Sequence, residues 1–88
     1  MGAMKKFRQS IYDREQTILR DWLIERRKEA HLTQRELAEA LDVVHSLVGK
    51  VEKGERRLDV VELIQYCSGL KADPVDLVRV LKKEMQQH

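Results

Sequence analysis

"LTQRELAEALDVVHSLVGKVEKGERRLDVVEL", Leu32 to Leu63, decides the fold. It opens on Thr33, a good residue for the cap before a helix. Glu36 follows at the third helical position, where its carboxylate can answer the cap backbone. Leu37, Ala38 and Leu41 then recur at helical spacing, which predicts a short helix over about 34–41. Asp42 breaks the pattern, as a short polar side chain that can enter the left-handed region. A second helix is predicted over about 45–53, with Gly54 as its stop. "DVVE" repeats the capping box with Asp59 and Glu62, and opens a helix to about Ser68 that Gly69 ends.

Working outward, "DREQ" offers Asp13 as a cap with Gln16 as its box partner. Ile18, Leu19, Trp22 and Leu23 follow at helical spacing, so a first helix is predicted over about 14–30. Residues 4–12 read as a loose arm. At the other end Asp73 caps and Pro74 takes the first turn. Leu77, Val78, Leu81 and Met85 form an apolar stripe that completes the core or extends into a dimer interface. The result is an all-α chain of five helices with short connections. Met1 to Ala3 read as a cloning scar. The boundaries are 1–12 for scar and arm and 13–88 for one domain.

Eighty-eight residues suffice for one modest core. A charged fraction of 36% against 5% aromatic suits an amphipathic helical bundle. Cys67 is the single cysteine, which excludes an internal disulfide framework and a multi-cysteine zinc site and suggests a reducing cytoplasm. Cys67 and Trp22 lie on apolar stripes and are expected in the core. The longest apolar runs are only a few residues, so neither a secretory leader nor a membrane span is expected. Net charge is +2, a weak sign of a polyanion partner. Its distribution is uneven: +3 over residues 1–30, zero over 31–58 and −1 over 59–88.

On a helical wheel, His45, Ser46, Gly49, Lys50 and Lys53 share one sector of roughly 140°. Val44, Leu47, Val48 and Val51 lie opposite, with Glu52 at the border. One side therefore packs while the other is polar, basic and narrowed by a glycine. The preceding helix, a turn of about three residues and this helix make a helix-turn-helix. In such a unit the second helix enters the DNA major groove, its N-terminal residues aimed at base edges.

"LTQ-ELA" followed by "V-K-E-GER" at this spacing resembles the phage repressor and Cro type of helix-turn-helix domain, the Xre family. The resemblance covers about residues 14–81 in fold, with its specific motifs in 32–63. It implies a compact five-helix bundle of the lambda-repressor-like type that binds operator DNA, usually as a dimer. It also implies residue roles. His45, Ser46 and Lys50 match the base-reading positions. Gln34 would bond a phosphate and brace the recognition helix. Lys53, Arg56 and Arg57 match the region that approaches the DNA backbone, and Arg27 with Glu52 matches a structural ion pair. His31 and Asp42 stand where the family usually has glycine. Val44, His45 and Gly49 also depart from its common residues, which leaves the operator sequence open.

Several assignments keep two readings. Ser46 bonds DNA or only begins the helix. One of Arg56 and Arg57 clamps phosphate while the other pairs with an acid such as Asp59 or Glu62. Gly49 either lets the helix sit deeper in the groove or is a glycine tolerated by packing. The expected function is a sequence-specific regulator, a repressor working as a homodimer on a palindromic operator in a bacterial or phage-infected cytoplasm. The alternatives are an antitoxin that also holds a toxin protein, and a protein-interaction module. The latter would want apolar anchors at 45, 46 and 50. Scattered histidines and the absence of a phosphate loop argue against an enzyme, and no cofactor or metal is expected.

Overall fold

The structure, a computed structural model, describes the backbone of residues 9–86 and the side chains of residues 13–86. Five helices account for nearly all of it: α1 Gln9–Glu29, α2 Gln34–Leu41, α3 His45–Lys53, α4 Val60–Leu70 and α5 Pro74–Gln86. No strand occurs among the described residues.

The two capping boxes form as the spacing predicts. Thr33 accepts from the Glu36 amide at 3.0 Å while Glu36 accepts from the Thr33 amide at 2.8 Å. Asp59 and Glu62 do the same at 2.8 and 2.9 Å. Each box satisfies two amides that the first turn leaves without helical partners. At α5, the Asp73 carboxylate accepts from the Val75 amide at 2.9 Å.

The first four helices end alike, on a left-handed residue whose successor donates back five positions. His31, Asp42, Gly54 and Lys71 have φ of 59°, 57°, 82° and 56°. The returning bonds are Leu32 to Arg27 O, Val43 to Ala38 O, Glu55 to Lys50 O and Ala72 to Cys67 O. Only one of the four is a glycine, the residue that takes this conformation without a Cβ clash.

The structure corrects the sequence in four places. Asp13 is not a cap and Gln16 is not its partner, because the chain is already helical at Gln9. No glycine or proline interrupts Gln9 to Tyr12, so the helix runs on through Asp13, and Thr17 donates to the Asp13 carbonyl one turn back. Part of the expected arm is therefore helix, and residues 4–8 lie outside the described ones. Gly69 does not end α4, which runs to Leu70 and stops at Lys71. A Cβ at Gly69 would fall 2.6 Å from Leu41 Cδ2, so this glycine lets α4 close on α2. Val78 and Met85 are exposed, leaving Leu77 and the half-buried Leu81 as the inward residues of α5. Val44 is 70% exposed, because it caps α3 from the turn and does not pack with Leu47, Val48 and Val51.

All five helices feed one core. Trp22 and Leu23 come from α1, Leu37 and Ala38 from α2, Val48 and Val51 from α3. Tyr66, Cys67 and Leu70 come from α4, and Leu77 from α5. Burial pushes the Cys67 thiol up to about 11, with Asp73 adding to the shift. The thiol is thus a packed, unreactive group. Helix α2 packs on α3 and α4, and α1 lies across α3 and α5. The α2–turn–α3 unit is thereby held from behind by α1 and α4.

Candidate nucleic-acid interface

Helix α3 divides as its wheel predicts. Val48 and Val51 are buried, at 0% and 2% exposure. His45, Ser46, Lys50 and Lys53 are exposed. None of these four makes a side-chain hydrogen bond or ion pair with the other described residues, so their donors and acceptors are open to a ligand. The α3 cap is Val44, which has no side-chain oxygen to offer, so the first amides of α3 are not capped by it. A first turn without a side-chain cap suits an anion.

The back of α3 is anchored by Glu52. Arg27 donates to it through Nε at 2.6 Å and Nη2 at 3.1 Å, and through Nη1 to the Leu32 carbonyl at 2.8 Å. Both side chains are largely buried, at 13% and 7% exposure. The Glu52 hydrogen bond holds the Arg27 guanidinium above its ordinary range, against the opposing effect of burial. Gln34 Nε2 also donates to Glu52, at 2.8 Å. One carboxylate thus ties α1, the start of α2 and the end of α3 together. The geometry is bidentate, which fixes angle as well as distance.

Gly49 lies in the outward sector, beside Gln34. A Cβ there would sit 3.5 Å from Gln34 Oε1, an ordinary van der Waals contact. Packing within the fold therefore does not require glycine at this position.

After α3 the loop carries both arginines. Arg56 donates to both Glu62 oxygens, at 3.0 and 2.6 Å, and its Nη1 also reaches the Arg57 carbonyl. The Arg56 guanidinium and the Asp59 amide lower the Glu62 carboxyl to about 2. Arg56 is therefore the arginine of the pair that latches the loop to α4. Arg57 is exposed.

One side chain escaped the sequence reading. Arg20 of α1 lies over the C-terminal end of α3, so that a Cβ on Gly54 would fall 2.9 Å from its Cζ. The signal was present: Arg20 precedes Arg27 by seven residues, two helical turns, and so shares its α3-facing side. The resemblance has Gln34 bracing the recognition helix, and its bond to Glu52 is a contact of that kind.

Comparison with known proteins agrees with this geometry. A family model described as helix-turn-helix matches residues 23–77. A solved structure described as an XRE-family like protein from Pseudomonas syringae pv. tomato superposes with a TM-score of 0.82 at 38% identity, covering 96% of this chain and 98% of that one. The clp gene regulator ClgR from C. glutamicum superposes at 0.69 with 27% identity, covering 81% and 92%. The restriction-modification controller protein C.Esp1396I shares the fold, at 0.70 and 22% identity, covering 82% and 95%. Comparison with curated proteins finds no match. With the two-helix unit, the braced α3 and these likenesses together, the chain belongs to the Xre (Cro/C1-type) helix-turn-helix family of DNA-binding transcription regulators.

Proposed function

We propose that this regulator is a sequence-specific repressor that binds a palindromic operator as a homodimer. The observation that carries the reading is the α3 surface: four exposed polar side chains with no intramolecular bond to another described residue, on a helix fixed from behind by Glu52. Lys50 donates to guanine or phosphate, His45 to a base edge, and Ser46 to a base or phosphate near the helix start. Gln34 keeps one amide proton free of Glu52 for a phosphate. Lys53 and Arg57 approach the backbone beyond α3, and Arg56 holds their loop while adding its charge to the strip.

The homodimer is supported by apolar surface away from α3. Val60, Val61 and Ile64 on α4 are 72%, 66% and 53% exposed, and Val78 and Met85 on α5 are exposed as well. One recognition helix reads few base pairs. A second copy about 34 Å away along the duplex supplies the remaining affinity. The working compartment in this proposal is the cytoplasm, where operator DNA lies.

The test is selection of sites from a random duplex pool at fixed salt. Enriched inverted repeats are expected. Lys50→Ala should then relax base preference at one position per half-site. A pool that shows no enrichment, or an enriched site indifferent to both Lys50→Ala and His45→Ala, would reject the reading. Sedimentation of a monomer both free and on the selected duplex would reject the dimer.

A further inference from the structure

The geometry points to Arg20 as a DNA-backbone contact made by α1, a phosphate ligand outside the helix-turn-helix itself. The inference rests on the proposed mode of binding and extends its footprint.

Helix α1 has four arginines among its described side chains. Arg14 pairs with Glu84 at 2.5 Å, Arg26 with Glu29 at 2.8 Å and Arg27 with Glu52 at 2.6 Å. Arg20 has no carboxylate partner among the described residues. Its one hydrogen bond there runs from Nη2 to the Thr17 hydroxyl, at 3.2 Å. A guanidinium has five donors, so four remain for something else.

Its position says what that is. The group lies against Gly54, where a Cβ would fall 2.9 Å from its Cζ and Nη1. Arg20, Gly54, Arg56 and Arg57 border one surface hollow, with Gln16 at its edge. Arg56 is engaged by Glu62, whereas Arg20 reaches the same hollow with no carboxylate partner among the described residues. The rim continues directly from the C-terminal end of α3, where the sugar–phosphate backbone passes once α3 enters the groove. A fork of unsatisfied donors matched to oxyanion geometry, at the end of α3, suits a phosphate. The expected occupant is a backbone phosphate of the duplex held by α3.

The test uses the full chain, a fluorescent mixed-sequence duplex and a titration of salt. Arg20→Met retains the aliphatic stem against Gly54 and removes the charge. Losing one phosphate contact should make the slope of log K against log salt shallower by about 0.9, and weaken binding about five- to tenfold near 0.1 M salt. Arg20→Lys should restore part of both. Thermal melting of each variant separates a lost contact from a loosened fold. The inference is overturned if Arg20→Met, folded like the parent, keeps the parent's slope and affinity. It is equally overturned if Arg20→Met leaves duplex binding intact while abolishing capture of a polyglutamate peptide, since the site would then serve an acidic protein. If the parent itself binds no duplex in a salt-dependent way, the proposed function fails first and this inference with it.

Discussion

Two glycines lie inside helices, and alanine should move them in opposite directions. Intrinsic propensity favours alanine over glycine by about 1 kcal/mol in a helix interior, at either site. At Gly49 the added methyl meets only Gln34 Oε1 at 3.5 Å, so most of that gain survives. At Gly69 it meets Leu41 Cδ2 at 2.6 Å, Leu41 Cγ at 3.0 Å and Leu37 Cδ1 at 3.2 Å. Leu37 is fully buried and cannot move aside, while Leu41 is only half-buried and can yield in part. Overpacking of this kind costs about 1–3 kcal/mol. The net expectation is a gain of about 0.5–1 kcal/mol for Gly49→Ala and a loss of about 1 kcal/mol for Gly69→Ala. A separation near 2 kcal/mol corresponds to about 8–16 °C in Tm for a domain of this size. The single tryptophan, Trp22, is buried at 7% exposure and reports unfolding by fluorescence. Labelling of the buried Cys67 gives an independent measure of opening. If Gly69→Ala melts at or above Gly49→Ala, the steric account of α2–α4 closure is wrong. The same Gly49→Ala protein also tests the glycine's role on DNA. Unchanged operator affinity would make it a tolerated helix glycine, and weakened affinity would show that the groove needs the missing side chain.

Three further outcomes follow from single contacts. Glu52→Gln leaves the largely buried Arg27 guanidinium without its counter-charge and should cost about 3 kcal/mol in denaturant unfolding, while Arg27→Met with Glu52→Leu should recover much of it; equal stability of the single and double variants would refute the pairing argument. Glu62 has a folded-state pKa of about 2, below its ordinary 4.5, so its contribution is complete above about 4.5 and drains as pH falls toward 2. Glu62→Gln should therefore show a shallower acid limb across that window, and an unchanged limb would remove Glu62 from the account. His31→Gly relieves a left-handed backbone at φ 59° and should raise Tm by about 2–4 °C, with a smaller effect for Asp42→Gly because aspartate tolerates that region. A larger gain at Asp42 would contradict the assignment of strain.

The fold was legible where local chemistry decides the outcome. Thr33 with Glu36 and Asp59 with Glu62 announce helix starts by spacing alone, and the side chains close those boxes as written. Asp13 with Gln16 shows the same pattern and means something else. A capping residue only begins a helix when what precedes it cannot be helical, and Gln9 to Tyr12 can. Gly69 looked like a stop because glycine commonly ends helices. Its role is set by Leu41 and Leu37, which are distant in sequence and invisible to a local reading. The outward face of α3 followed from periodicity. The division of labour between Arg56 and Arg57 did not, because it depends on which guanidinium Glu62 reaches across the loop.

The freedom of the α3 surface has a consequence for how such a protein changes over time. His45, Ser46 and Lys50 are bonded to nothing else in the described part of the chain, while the helix that carries them is fixed through Glu52, Val48 and Val51. Substitutions at the first three should alter which sequence is bound at almost no cost to folding, and substitutions at the second three should do the reverse. Specificity and stability then draw on separate residues. On the proposed base-reading role of His45, Ser46 and Lys50, a lineage of this protein can move from one operator to another through folded intermediates, without compensating changes in the core.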